Sequence, residues 1–427
     1  MNAPSRSGAG SDERRARGPI IRYLGFFTAL AILFAILAPS NADASRRRHA
    51  QAASAKRAAA ASDEEGATDA SKSGLQGEYA EACVIEPATG TVIFEANDHK
   101  PWPTASLAKM MLMLIVAEKI HDGSLKLTDQ VTTSRKAAEI GGSQVYLKEG
   151  ETFSLDDMMK AIVVHSANDA SEAVAEYIGG SADAFVVMMN QQASALGMKD
   201  SHYYSVHGLP PAQGQQADVA SAYDQAILAR ELIKYPDVLR WSSIDTAPFR
   251  GGSFVLRNTN HLVRTYQGCD GLKTGFYDQA GFNVVATAHR SDLRLIAVVL
   301  GTPHKLTNFK VASELLSQGF LNYQIHSVAK KGTPVAQTVA VKDGETDHLK
   351  PVWGADAGVF VKRGDAKTDL KVDYNLPPSI DAPVKAGQQI GTANVLEGGK
   401  IVATVALLAP TNIPKETSII KRLLGRL

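Results

Sequence analysis

The stretch LKTGFYDQAGFNVVATAHRSDLRLIAVVL, residues 272–300, contains three β-favouring runs separated by short polar or glycine-containing segments. These runs are Leu272–Phe276, Val284–Ala288 and Leu293–Leu300. An earlier pair of runs, residues 82–85 and 91–94, flanks the turn-forming segment PATG and predicts a hairpin. Because strands stand at both ends with helical sequence between them, we predict an α+β domain whose terminal strands join one sheet.

The sequence between and after these strands predicts helices and then a second domain. Apolar residues recur at three-to-four spacing over Ser106–Ile120 and Leu155–Ile178, and another helical stretch covers Leu306–Tyr323. Near Val328 the chain changes to short β-rich runs with Gly and Pro, including a hairpin that turns at residues 397–400. We therefore predict a small all-β domain after the α+β domain.

Composition describes an ordinary globular protein. The chain has 427 residues, a formal net charge of +1 and 21% charged residues, which fits two domains plus tails. This charge balance disfavours a nucleic-acid binder, so we expect no nucleic-acid partner. The cysteines, Cys83 and Cys269, are too few for a disulfide-rich scaffold, and we expect buried free thiols although export would permit a bridge.

The N-terminal region has the layout of a signal peptide. Four arginines at positions 14–22 precede the apolar run Tyr23–Ala38, and small residues end in ADA at 42–44. The run is shorter than the roughly 20 residues that span a bilayer. We expect cleavage after Ala44, with an uncleaved anchor as the alternative, and in either case the bulk of the chain is exported.

The tetrad SLAK, residues 106–109, opens an apolar helical run. Ser106 and Lys109 are three residues apart, so they lie one helical turn apart on the same face. Serine needs an adjacent base to act as a nucleophile, and a lysine amine can be that base where burial and positive charge lower its pKa. We therefore predict that Ser106 is a nucleophile and Lys109 its base.

The tripeptide SAN, residues 166–168, follows a helical run. The i, i+2 spacing places Ser166 and Asn168 together in a loop or strand rather than on one helix face. With the first tetrad, Ser166 can relay a proton to a leaving amine, and Asn168 offers a donor and an acceptor to a substrate amide. Nothing in these motifs requires a metal or a cofactor.

The tripeptide KTG, residues 273–275, lies in one of the predicted strands. The ammonium of Lys273 and the hydroxyl of Thr274 can hold a C-terminal carboxylate at a strand edge. Gly275 allows a substrate backbone to approach closely, and the N–H of Phe276 can complete an oxyanion hole with the N–H of Ser106.

In combination these motifs resemble the signature of penicillin-binding proteins and class A β-lactamases. The chain resembles the D-Ala-D-Ala carboxypeptidase branch, the low-molecular-mass penicillin-binding proteins, across about residues 76–412. This resemblance extends to PATG at 87–90, VHSANDA at 164–170, HGL at 207–209 and DGLKTG at 270–275.

The resemblance implies an enzyme that removes the terminal D-Ala from peptidoglycan stem pentapeptides and is inhibited by β-lactams. It implies an acyl-enzyme on Ser106, with Lys109 as base and Ser166 as proton shuttle. It also implies a peripheral location on the periplasmic face of the cytoplasmic membrane, through a C-terminal amphipathic anchor. The substrate contacts that it implies are Asn168, Lys273 and Thr274.

Two departures from the family pattern concern the carboxylate subsite. Phe276-Tyr277 stands where many relatives carry His-Thr, and Asn308 stands where relatives usually carry an arginine near the substrate carboxylate. Lys305 and Lys310 are the candidate replacements. The departures leave the acylation motifs intact but leave open whether the enzyme is a carboxypeptidase or a DD-endopeptidase.

The same residues bear on three other functions. A class A β-lactamase needs a deacylating glutamate, but the stretch Met198–Pro211 contains none, and a trailing β-domain is foreign to that enzyme. His202 and His207 lie in a Gly-Pro-rich loop without a clustered carboxylate, which disfavours a zinc site. A catalytically silent wall-binding protein stays an alternative, although all three motifs are intact.

The chain ends complete the predicted organisation. Residues 415–427 place five aliphatic side chains on one helical face and basic residues largely elsewhere, which is typical of a helix lying on an anionic membrane surface. Packing of this helix on its own domain is the alternative. The predicted segments are a signal peptide at 1–44, a flexible linker at 45–75, a transpeptidase-like domain at 76–327, a β-rich domain at 328–412 and an amphipathic helix at 413–427.

Overall fold

A computed structural model describes residues 78–365 and 369–417 of the protein. The signal peptide and linker predicted at 1–44 and 45–75 lie outside the described residues. The helices described are α1 (Lys109–His121), α2 (Arg135–Glu139), α3 (Leu155–Val164), α4 (Asn168–Gly179), α5 (Ala182–Ala195), α6 (Ala222–Leu232), α7 (Pro236–Ser242), α8 (Leu262–Thr265) and α9 (Thr307–Asn322).

The strands of the first domain form a central antiparallel sheet and three short pairs. The central sheet has the strand order β2-β1-β11-β10-β9, so strands from both ends of the domain meet in it, as predicted. The strands are β1 (Glu81–Glu86), β2 (Thr91–Ala96), β3 (Trp102–Pro103), β4 (Gln130–Thr132), β5 (Thr152–Ser154), β6 (Val219–Ala220), β7 (Thr246–Phe249), β8 (Phe254–Arg257), β9 (Cys269–Tyr277), β10 (Gly281–Arg290) and β11 (Leu293–Thr302).

The central sheet is buried on both faces. Val284 and Ala286 of β10 pack on the side of α9, whereas Val285 between them belongs to the core formed with the other helices. This alternation follows from the two-residue period of a strand, and it explains why β10 and β11 read as nearly continuous apolar runs. The sheet therefore holds β9 firmly at one edge.

Helix α1 runs through the middle of the helical core. Its residues from Met110 to Val116 are almost fully buried on every side. A helix that is apolar all round belongs in a core rather than at a surface. The N-terminal end of α1, which carries the SLAK tetrad, is consequently fixed in position.

The second domain is built from β-strands, as predicted. Its first strand, β12, follows α9 directly and pairs with β16, so the β-rich part begins at Tyr323 rather than near Val328. The predicted hairpin at 397–400 is confirmed as β19–β20. The strands are β12 (Tyr323–Ala329), β13 (Val339–Lys342), β14 (His348–Leu349), β15 (Val352–Trp353), β16 (Ala357–Lys362), β17 (Leu370–Asn375), β18 (Ser379–Asp381), β19 (Gln389–Glu397) and β20 (Lys400–Leu408).

The start of the predicted C-terminal helix is not helical. Ile413 forms a β-bridge with Val384, and both side chains belong to a buried core of the second domain. Lys415 forms a β-bridge with Gly344. The rest of that predicted helix lies outside the described residues. Within residues 78–365 and 369–417, no helix is both long and apolar enough to cross a membrane.

The prediction of free cysteines is confirmed. Cys83 and Cys269 are both buried and unpaired with each other. Cys83 lies on β1, inside the central sheet, and Cys269 begins β9. Both act as small core residues.

Candidate active site

The SLAK tetrad spans the junction between a short 3₁₀ turn and α1. Ser106 lies in the turn at Ala105–Ala108, and Lys109 is the first residue of α1. A hydrogen bond of 2.9 Å joins Lys109 Nζ to Ser106 Oγ, so the two side chains predicted to react together are in contact. Ala105 has a left-handed φ of +49°, a strained conformation for a residue with a side chain, and such strain is common beside reacting groups.

The environment of Lys109 favours a neutral amine. The side chain is fully buried. Burial, together with the positive charge of Lys273, lowers the pKa of Lys109 well below its usual value, while Asp218 and Asp169 oppose the shift. An uncharged amine in contact with a serine hydroxyl can accept its proton.

A backbone carbonyl provides the second contact of this amine. Lys109 Nζ donates to the carbonyl oxygen of His207 over 2.6 Å. Gly208, the next residue, has a φ of +73°, and a side chain there would collide with the carbonyl oxygen of Ala105. The HGL segment is therefore packed directly on the turn that carries the nucleophile.

The SAN motif brings a second serine to a second lysine. Ser166 lies in the loop between α3 and α4 with a left-handed φ of +66°. Lys273 Nζ donates to Ser166 Oγ over 2.8 Å and to the carbonyl oxygen of Thr274 over 3.0 Å. Burial lowers the pKa of Lys273 to about 7. Sequence reasoning assigned Lys273 to the substrate carboxylate and did not anticipate this pairing.

Asn168 is the first residue of α4, and its side chain bonds the backbone of a neighbouring loop. Its Nδ2 donates to the carbonyl oxygen of Gly141 over 2.7 Å, while its buried Oδ1 has no partner among the described residues. The backbone N–H of Asn168 donates to Ser143. The side chain of Asn168 therefore holds Gly141, its backbone holds Ser143, and one side-chain acceptor atom is left unused.

The KTG motif approaches the nucleophile along the edge strand β9. A side chain on Gly275 would lie 2.6 Å from the carbonyl oxygen of Thr104 and 3.0 Å from the backbone nitrogen of Ser106. Glycine is thus required by the approach of the protein's own backbone. The Thr274 hydroxyl donates to Thr259 Oγ1 over 2.7 Å.

Comparisons with known proteins agree with this geometry. The family described as D-alanyl-D-alanine carboxypeptidase matches residues 68–304. The C-terminal domain of penicillin-binding protein 5 matches residues 323–415. The chain belongs to the D-alanyl-D-alanine carboxypeptidase family. This confirms the predictions of a low-molecular-mass penicillin-binding protein, of its two-domain α+β fold and of a serine-type carboxypeptidase.

Individual relatives cover most of this carboxypeptidase. It is 34% identical to D-alanyl-D-alanine carboxypeptidase DacF of Bacillus subtilis over 82% of this chain and 90% of the relative. The structure of a peptidoglycan synthesis regulatory factor (PBP3) from Streptococcus pneumoniae matches with a TM-score of 0.68 at 26% identity, covering 79% of this chain and 99% of that one. The ampicillin-bound penicillin-binding protein D2 of Listeria monocytogenes matches with a TM-score of 0.53 at 33% identity, covering 58% and 99%.

A cavity of about 240 Å³ adjoins the nucleophile of the carboxypeptidase. One wall is aromatic, because the half-exposed ring of Phe276 stacks on Phe282 with centroids 4.1 Å apart, and His261 stacks on Phe309 at 5.1 Å. Several lining residues carry no sequence motif, and only their tertiary position reveals them. The lining residues are Ser106, Ser143, Ser166, Thr259, His261, Thr274, Gly275, Phe276, Phe282, Lys305, Leu306, Asn308 and Phe309.

The two lysines considered as carboxylate ligands are separated by the structure. Lys305 lines the cavity beside the nucleophile. Lys310 forms a 3.2 Å ion pair with Glu78 and is not part of the cavity lining. The buried Asn308 donates through Nδ2 to the carbonyl oxygen of Asn283. Of the two lysines, Lys305 is therefore the one placed to meet a substrate.

A larger cavity, of about 620 Å³, lies between the two domains. Its charged lining residues are already engaged, since Arg294 pairs with Asp270 and Lys330 pairs with both Asp292 and Asp356. No residue of the SLAK, SAN or KTG motifs lines it. The chemistry of the carboxypeptidase is better placed in the smaller cavity, where Ser106, Ser166 and Thr274 converge.

Proposed function

We propose that this carboxypeptidase removes the terminal D-Ala from peptidoglycan stem pentapeptides through an acyl-enzyme on Ser106, and that penicillin acylates the same oxygen. The observation that carries the proposal is the 2.9 Å contact between Ser106 Oγ and an amine whose burial disfavours its charge. A serine next to a neutral amine needs no histidine for activation.

The proposed reaction begins as Ser106 Oγ attacks the carbonyl carbon of the penultimate D-alanine and Lys109 Nζ takes the hydroxyl proton. The peptide C–N bond then breaks, and the leaving D-alanine amine receives that proton through the hydroxyl of Ser166. The acyl group stays on Ser106 as an ester. Water hydrolyses the ester, which releases the shortened peptide and restores the serine hydroxyl.

Charge and position support roles for the remaining residues. In the proposal the N–H groups of Ser106 and Phe276 receive the developing oxyanion. Lys273 acts on the reaction through Ser166, to which it donates. Thr274 and Lys305 contact the free carboxylate of the terminal D-Ala, because both line the cavity and the Lys305 ammonium forms no ion pair with the described residues. Recognition of a free carboxylate favours carboxypeptidase over endopeptidase action.

The first experiment measures both halves of the proposal on one preparation. Mass spectra of products from a purified stem pentapeptide are expected to show loss of one terminal D-Ala. Intact-protein spectra after incubation with penicillin are expected to show one adduct. Ser106→Ala should show neither, while its melting temperature stays close to wild type because a partly exposed hydroxyl contributes little to the core. An adduct that survives in Ser106→Ala would exclude this nucleophile, and a wild type without adduct would support the silent wall-binding alternative.

We further propose that the protein is exported and held peripherally on the periplasmic face of the cytoplasmic membrane. The support comes from sequence, namely the arginine-flanked apolar run Tyr23–Ala38 and the basic, amphipathic pattern of residues 418–427. An apolar face of this length is too short to span a bilayer but suits the headgroup region.

A further inference from the structure

A buried carboxylate, Asp218, organises the loop that supplies the carbonyl of His207. Its Oδ1 accepts hydrogen bonds from the backbone N–H groups of Tyr204, at 2.6 Å, and Ser205, at 2.8 Å. Its Oδ2 accepts from the Ser205 hydroxyl over 2.6 Å. Asp218 is only 4% exposed, so these contacts are made away from solvent.

The hydroxyl of Ser205 passes this constraint to the active-site segment. Ser205 Oγ accepts a hydrogen bond from the N–H of Gly208 over 2.9 Å. The carbonyl that Lys109 contacts belongs to His207, between these two residues. An unbroken set of hydrogen bonds therefore runs from the Asp218 carboxylate to the position of that carbonyl.

The backbone of Asp218 holds the other side of the nucleophile. Its carbonyl oxygen accepts from the N–H of Thr104 over 2.9 Å and from the Thr104 hydroxyl over 3.3 Å. Thr104 precedes Ser106 by two residues. One residue thus fixes the approach to the nucleophilic serine as well as the loop beside its base.

The charge of Asp218 also acts on the lysine amine. The groups that face Lys109 are Lys273 from β9, Asp169 from α4, and Asp218 and His207 from the loop region. Asp218 and Asp169 favour the protonated amine, whereas burial and Lys273 disfavour it. The His207 ring is neutral over the working range, since burial and nearby Lys109 lower its pKa to about 3.

We propose that Asp218 is a positioning residue for the Ser106–Lys109 pair, which holds the His207 carbonyl against the lysine amine through the Ser205 hydroxyl. The proposal rests on the proposed role of Lys109 as the base. Asp218 does not touch the reacting atoms. Its two effects, one geometric and one electrostatic, are separable by substitution.

The electrostatic effect is tested with Asp218→Asn in the full chain, by measuring the rate of penicillin acylation against pH by intact mass. Without the negative charge of Asp218, the Lys109 amine loses its proton at lower pH. The acid limb of the rate–pH profile, where the acylation rate rises with pH, should therefore move to lower pH by about one unit. The matched control is Asp224→Asn. Asp224 is equally buried and accepts from Asp200 N–H and the Ser201 hydroxyl, but it is not among the groups acting on Lys109. Its acid limb should coincide with that of the wild type.

The geometric effect is tested with Ser205→Ala, which removes the bridging hydroxyl and keeps every charge. Acylation should slow by roughly tenfold, the equivalent of one lost hydrogen bond in a buried network, with the acid limb unmoved. This variant also keeps the proposal testable if Asp218→Asn fails to fold. A Ser205→Ala rate equal to wild type would overturn the positioning role.

Other outcomes separate this inference from the proposed function. If the Asp218→Asn limb stays in place, or if Asp224→Asn shifts it equally, the charge effect of Asp218 is overturned while Lys109 stays the base. If Lys109→Arg acylates at the wild-type rate, the base assignment itself fails. A melting curve for each variant distinguishes a kinetic change from loss of the fold.

Discussion

The two domains bury different kinds of residue. Buried charged and polar side chains of the described residues lie between Glu81 and Asn308, in the first domain. In the described part of the second domain, the buried side chains are apolar, as in the cluster that includes Trp353, Val395 and Leu407. Burial of a polar group costs free energy unless it is hydrogen-bonded, and burial of a charge costs more. In the first domain this unfavourable burial has a function, because it lowers the pKa of the Lys109 amine.

The difference indicates a division of roles between the domains. The side chains of Lys109 and Lys273 are buried and each contacts a serine hydroxyl, and this burial lowers the pKa of both amines. The second domain carries no comparable group among its described residues. We infer that the chemistry belongs to the first domain, and that changes in the second act on stability and location.

The largest expected effect comes from Lys109→Arg. A guanidinium does not lose its proton at accessible pH, so it keeps the charge of lysine but cannot act as a base. We expect penicillin acylation to fall by at least about a thousandfold, within the range attributed to general base catalysis. Single-turnover mass spectrometry measures the rate. Retention of a substantial fraction of the wild-type rate would move the role of base to Lys273.

Trp353→Ala tests whether the second domain contributes to stability but not to chemistry. Trp353 is 3% exposed in the core of the second domain, where its ring meets Tyr374 edge-on. Removal of a buried tryptophan side chain costs about 3–5 kcal/mol. We expect a large loss of stability in denaturant titrations of the second domain, but an acylation rate within about twofold of wild type for folded protein.

The matched control for this variant is Trp241→Ala in the first domain. Trp241 is fully buried, and its Nε1 donates to Asp156 over 2.8 Å. This substitution should lower both stability and the amount of protein that penicillin labels. If Trp353→Ala slows acylation as much as Trp241→Ala does, the two domains are coupled in catalysis and the proposed division of roles is wrong.

Lys305→Met has a smaller effect, confined to substrate recognition. Loss of the ammonium should raise KM for a stem pentapeptide by roughly three- to tenfold. The free energy of this contact should lie between that of an exposed ion pair and that of a hydrogen bond to a charged group. The value of kcat should change little. A pentapeptide with an amidated C-terminus should show no difference between the variant and wild type.

Lys310→Met is the control, at a nearby lysine that lies on α9. Lys310 pairs with Glu78 outside the cavity, so its loss should leave KM unchanged. If both variants raise KM equally, a general field effect replaces the specific contact. If neither does, the carboxylate is held by Thr274 without a cation.

The sequence predicted the frame of the site better than its contacts. Local sequence patterns reveal the hairpin at 82–94, the three strands at 272–300 and the three motifs. Strands and helices each have a fixed period, which the order of apolar residues shows. The His207 carbonyl could not be predicted, since every residue has a carbonyl and only the fold selects one. The pairing of Lys273 with Ser166, like the position of Asp218, depends on segments that converge from distant parts of the chain.

The smallest kinetic effect is expected from deletion of residues 418–427, which should change where the protein is found and not how fast it acts. The deletion starts after Thr417 so that the β-bridges of Ile413 and Lys415 stay intact. The removed segment has aliphatic residues on one helical face and three basic residues, a pattern that binds anionic membrane surfaces modestly. Full-length protein should leave the membrane fraction partly as salt is raised, because the basic side chains are screened. The truncated protein should be soluble at every salt concentration and hydrolyse soluble pentapeptide at the wild-type rate. A truncated protein that still sediments wholly with membranes would assign the attachment to the Tyr23–Ala38 segment instead.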